Sequence, residues 1–94
     1  MTAQELTYNI AVNLGRLARW NDEGKSQRVN QFLLETEIYV HQLETTPMRD
    51  RFLPTFHALK QKFHELKHAT RRDDAWAEDA LTWANILTHR AKLA

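Results

Sequence analysis

The 94-residue chain is 43% hydrophobic, with three Trp, four Phe and two Tyr, which suffices for one core and excludes a disordered segment. It has no cysteine, two glycines and two prolines, so it holds no disulfide framework or thiolate metal site and too few turn residues for a β-rich fold. Net charge is +1 but unevenly spread: Thr46–Arg72 carries seven basic and two acidic residues, the rest six basic and ten acidic. No run approaches the roughly 18 apolar residues of a membrane span. Met1–Glu5 lacks the basic and apolar pattern of a signal peptide, so a cytoplasmic protein without membrane contact is expected.

Thr2 followed by Glu5 is a capping-box pattern. Beyond it Ala3, Leu6, Ile10, Leu14 and Leu17 recur at spacings of 3 and 4, predicting a first helix over residues 3–21. Gly24 supplies a left-handed residue to end it. Ser26 is the expected cap of the second helix, whose stripe is Val29, Leu33, Thr36, Val40 and Leu43, flanked by Phe32 and Tyr39. Thr45-Thr46-Pro47 closes that helix and opens the next, with Thr46 as cap and Pro47 at the tolerated first position.

The third stripe is Met48, Phe52, Phe56, Leu59, Phe63 and Leu66. It stays in phase across Pro54, which predicts one proline-kinked helix rather than two. Asp73 and Asp74 open the fourth helix, on which Trp76, Ala80, Trp83 and Leu87 form a face widened by Ile86 and Ala91. The expectation is a single all-α domain over residues 1–94, a four-helix up-and-down antiparallel bundle.

His64-Glu65-Leu66-Lys67-His68 is a literal H-E-x-x-H, the spacing that in zinc peptidases puts two imidazoles and a general base on one helical face. Here Leu66 lies on the core stripe, which turns the histidines about 160° away at roughly 100° per residue, toward solvent. His57, His64 and His68 share this outer face at spacings of 7 and 4. Exposed histidines without an intrinsic metal or cofactor are expected. His41 and His89 carry no spacing argument.

His57-Ala58-Leu59-Lys60 resembles the H-x-L-K core of histidine phosphotransfer domains. Phe32-Leu33-Leu34-Glu35 through Leu43-Glu44 is similar in pattern to their preceding helix, and Arg71–Trp76 to the turn before their last. The resemblance implies a four-helix bundle with His57 as phosphoacceptor and Lys60 neutralising the phosphoryl group. It departs at Gln61, where that family has glycine, and at Lys62-Phe63-His64, where it has small residues.

Nucleic acid is another candidate partner, since Lys60, Lys67 and Arg71 share a flank at spacings of 7 and 4 and would follow a phosphate backbone. Asn13, Thr36 and Arg90 are polar residues within the core stripes, read as register-setting groups, with Arg90 snorkelling near a helix end.

Apolar residues off the stripes are the strongest functional clue. Leu34 and Ile38 point away from the Val29–Leu43 face one turn apart; Tyr8 and Val12 do the same on the first helix, and Leu81 on the fourth. Such pairs predict a second packing surface. No glycine-rich phosphate loop, nucleophile arrangement or paired-carboxylate cleft is visible. The expected function is therefore a non-enzymatic protein-interaction module that forms a homodimer through Leu34, Ile38, Tyr8, Val12 and Leu81.

Overall fold

Residues 1–94 are described by a computed structural model, which winds the chain into four helices joined by short connections. These are α1 (Ala3–Asp22), α2 (Ser26–Glu44), α3 (Leu53–His68) and α4 (Asp74–Arg90), with 3₁₀ turns at Asp50–Phe52 and Ala91–Leu93. There is no strand, and the architecture is the expected all-α bundle. No helix is long and apolar enough to cross a membrane.

Local chemistry sets the boundaries of α1 as its sequence predicts. Thr2 Oγ1 accepts from the Glu5 amide and the Glu5 carboxylate accepts from the Thr2 amide, both at 3.1 Å. At the other end Gly24 has φ +72°. The Lys25 amide donates to the Trp20 carbonyl at 2.9 Å and the Gly24 amide to the Asn21 carbonyl at 3.1 Å. That pair of bonds needs a left-handed residue at position 24. Asp73 caps α4, its Oδ1 accepting from the Trp76 amide at 3.1 Å.

Three boundary expectations are corrected. Lys25, not Ser26, is the N-cap of α2, and no side chain caps it. Thr46 caps nothing downstream; its hydroxyl donates back to the Gln42 carbonyl at 2.6 Å and finishes α2. The α-helix of the third segment starts at Leu53 rather than at Pro47. Pro54 therefore sits in its first turn, where a missing N–H leaves no helical bond unmade. Phe52, in the preceding 3₁₀ turn, keeps right-handed helical dihedrals (φ −90°, ψ −20°). This is why the apolar stripe stays in phase ahead of the helix proper.

The predicted stripes form the core. Every named stripe residue of α1 and α2 is buried, as are Phe52, Phe56, Leu59, Phe63, Leu66, Trp76, Ala80 and Leu87. Met48 and Trp83 are half-buried at its margin. α1 is the central helix, with its longest contacts along α4 and then α2. Ala11, Gly15 and Ala18 recur on one flank of α1, and the Gly15 position lies against Ala84 of α4. Small side chains there let the two backbones approach closely. On the other flank Trp20 packs edge-on against Phe32 of α2, ring centroids 4.7 Å apart.

Of the polar residues in the stripes, Thr36 is satisfied within its own helix, its hydroxyl donating to the Phe32 carbonyl at 2.6 Å. Thr7 does likewise to Ala3 at 2.7 Å. Asn13 is buried and its Nδ2 has no partner. Arg90 is exposed, reaching Thr55 Oγ1 at 3.2 Å and tying the end of α4 to the start of α3.

Candidate interaction surface

Tyr8, Val12, Leu34, Ile38 and Leu81 are all exposed, and with Met1 they are the large hydrophobic residues most open to solvent. Leu34 is 61% and Ile38 57% exposed. At about 100° per residue they lie roughly 140° and 180° from the midline of α2's buried stripe. The five residues are spread over three helices, two on α1, two on α2 and one on α4. Tyr8 and Val12 share their face with Glu5, Arg16 and Arg19, and Leu81 lies near Glu78. Leu34 and Ile38 have Glu37 and Glu35 at their flanks, but Glu37 is paired with Lys67 and Glu35 is half-buried.

The histidine face is exposed: His57, His64 and His68 all lie open on α3. The His64 and His68 rings are 4.4 Å apart, centroid to centroid. No group of three histidine, cysteine or carboxylate side chains is arranged to hold a metal ion. The two rings therefore gain no third ligand from a neighbouring helix, and a catalytic zinc centre needs one.

The basic residues of α3 are largely answered by the protein's own acids. Lys60 pairs with Glu44 of α2 and Lys67 with Glu37 of α2. Lys62 reaches Glu65 at 3.0 Å and Asp79 of α4 at 3.3 Å. The hydrogen bond from Lys67 holds the Glu37 carboxyl below its usual range, and that from Lys60 does the same for Glu44. Two carboxylates raise Lys62, Glu65 more than Asp79. So the cation set beside the candidate phosphoacceptor His57 is already neutralised at Lys60. Of the three cations proposed to follow a phosphate backbone, Lys60 and Lys67 are engaged and Arg71 stays exposed.

A shallow groove of about 290 Å³ runs between α2 and α3, lined by Glu37, His41, Glu44, Lys60, Phe63 and His64 among others. Sequence periodicity did not point to it, since its members come from two helices, and Lys60 and Glu44, which pair across it, lie 16 residues apart. A second hollow lies at the start of α2, over Gly24–Arg28. In the groove the Glu44 carboxylate is held by Lys60, and Glu37 by Lys67. No protein-family model, curated protein or solved structure matches this chain.

Proposed function

We propose that the chain is a non-enzymatic helical-bundle interaction module that self-associates through the outer face of α2. One observation carries the reading: Leu34 and Ile38, adjacent on successive turns, stand more than half exposed opposite a helix face that is already fully used by the core. Scattered apolar residues are ordinary on a surface, but an exposed pair at i, i+4 whose flanking acids are paired or half-buried is a packing surface without a partner. Fully burying such a side chain is worth about 1.5–3 kcal/mol, and these two are partly covered already. A two-fold pair counts each contact twice, against an association cost of about 4–15 kcal/mol. The resulting dimer is weak and concentration-dependent. Tyr8, Val12 and Leu81 stand on α1 and α4 and take no part in this α2 contact. A cytoplasmic location fits the cysteine-free composition.

Light scattering on a size-exclusion column, run over a range of loading concentrations, tests the proposal. The wild type is expected to show a mass rising above one chain. Leu34→Glu with Ile38→Glu should return it to one chain while the far-ultraviolet circular dichroism stays helical. A wild type that remains monomeric throughout would refute self-association.

A further inference from the structure

The outer face of α2 has more order than its two apolar residues suggest. Gln27, Gln31, Leu34, Ile38, His41 and Thr45 follow one another at spacings of 4, 3, 4, 3 and 4, and all six are exposed. That is the alternation of d and a positions in a coiled-coil seam, with Leu34 at d and Ile38 at a. The seam has uncharged polar residues at both ends and its apolar layers in the middle. Asn30 and Gln42 beside it are exposed and uncharged as well.

All four charged residues of α2 are turned off this face. Arg28 lies over the Trp20 ring at 5.4 Å. Glu35 is half-buried next to Tyr39, whose hydroxyl pKa burial raises first and Glu35 second. Glu37 and Glu44 are held by Lys67 and Lys60 of α3. A chain in which 27% of residues are charged thus presents a face one helix long with no charge on it and neutralised acids at one border. A highly charged partner would have to lose its hydration against such a surface for no compensating contact. A surface of the same kind suits it, and the nearest such surface is its own.

We infer that α2 pairs with α2 of a second copy as a parallel, in-register two-stranded zipper, a geometry that rests on the self-association proposed above. Orientation follows from the flanking positions. In an antiparallel pair Glu35 would face Glu35 and Glu37 would face Glu37 across the seam. In a parallel pair Asn30 faces Glu35 and Glu37 faces Gln42, so no like charges meet. Identical residues then stack in layers: Leu34 on Leu34, Ile38 on Ile38, and Gln31 on Gln31, where each amide both donates and accepts. Isoleucine at a with leucine at d is the combination that favours two strands in parallel pairs. A seam of 19 helical residues is about 28 Å long and belongs to the small, reversible class of interfaces. Tyr8, Val12 and Leu81 lie outside it.

The absence of native cysteine makes the register directly testable, because an introduced thiol is the only one in the chain. Gln27→Cys and His41→Cys, made separately at exposed d positions, are each expected to form a self-disulfide rapidly under mild oxidation. Val12→Cys, off the seam, should crosslink at least tenfold more slowly. Adding Leu34→Glu and Ile38→Glu should remove the difference. Sedimentation equilibrium of the wild type, from tens of micromolar upward, is run alongside. If the wild type associates but crosslinks appear only when Gln31→Cys is mixed with His41→Cys, the helices run antiparallel. The parallel seam is then wrong and self-association stands. If association survives Leu34→Glu with Ile38→Glu, the contact lies on another face, and the seam is again wrong. A monomer at every concentration overturns both.

Discussion

Helices α1 and α3 differ in how they are held, and the difference separates what stabilises this bundle from what is adjustable in it. α1 buries ten of its twenty residues and α3 five of sixteen. Along α4, α1 sets Gly15 against Ala84, with the small residues Ala11 and Ala18 buried on the same flank, so the two backbones run close. α3 approaches its neighbours through long side chains: Phe56, Leu59, Phe63 and Leu66 inward, Lys60, Lys67 and Lys62 along both rims. The Trp76 indole N–H adds one buried bond, donating to the Leu66 carbonyl at 2.9 Å and pinning the end of α3 to the start of α4. One helix is fixed by shape. The other is fixed by aromatic anchors and by ion pairs that respond to salt and acid.

The largest effect should come from spoiling the close approach. Ala84, which faces Gly15, is 7% exposed. Ala84→Leu has to push α1 and α4 apart and is expected to cost about 1–3 kcal/mol. Ala58→Leu, the same enlargement on the exposed side of α3, should stay within about 0.5 kcal/mol. Urea midpoints measured together decide it. Equal losses at both sites would mean that α1 and α4 do not meet as closely as described.

Next in size is Asn13, on the α1 flank that also carries Trp20, seven residues on. Its buried Nδ2 lacks a partner, so desolvation of that group is uncompensated. Asn13→Leu is expected to raise stability by about 1 kcal/mol, read as a higher melting temperature with unchanged helicity. A loss of that size would show that the amide has a partner in solution, such as an ordered water.

Much of this division was legible in the sequence. Burial of the Ala3–Leu17 and Val29–Leu43 stripes followed from spacing alone, because each helix buries one face and the 3.6-residue period marks it. The exposure of Leu34, Ile38, Tyr8, Val12 and Leu81 followed from the same reasoning turned outward. The start of α3 did not. Pro47 and Pro54 both suit a first turn, and the unbroken phase from Met48 to Leu66 concealed that a 3₁₀ turn carries Phe52. The lysine pairs were also hidden, since Lys60 with Glu44 and Lys67 with Glu37 require knowing which helices are neighbours and at what height. The α2 seam was hidden for another reason: glutamine, histidine and threonine at its outer layers do not register as apolar periodicity.

A smaller effect sharpens the account of α1. A Cβ placed on Gly15 would lie 4.0 Å from the Ala84 Cβ, an ordinary contact. Gly15→Ala therefore fits and lowers the entropy of the unfolded chain, and should add about 0.5–1 kcal/mol. Together with Ala84→Leu it brackets the space between the helices: one methyl is accommodated and an isobutyl group is not. Destabilisation by Gly15→Ala would place the two backbones closer than the structure has them.

The smallest effect belongs to the rim of α3, and its sign follows from the carboxylates. Lys67 holds Glu37 below its ordinary value of 4.5, chiefly by hydrogen bonding, and burial opposes this only in part. A carboxylate with a lowered folded-state pKa contributes stability that is fully present above its unfolded value. That stability is lost as pH falls through the folded value. Glu37→Gln should therefore cost less than about 1 kcal/mol at pH 7, in line with other partly exposed pairs. The gap between wild type and variant should narrow below about pH 4.5, the ordinary value, and close once the wild-type carboxylate has taken up its proton at lower pH. It should also shrink at about 1 M salt, where the screening length falls to about 3 Å. The same acidification leaves the α1–α4 contact at Gly15 and Ala84 untouched, because these residues carry nothing to titrate. Urea midpoints at pH 7, 5 and 3 for the wild type, Glu37→Gln and Ala84→Leu test both halves. The first gap should close with acid while the second stays constant. A Glu37→Gln gap independent of pH and salt would mean that α3 is held at this rim by packing, and the contrast with α1 would fail there.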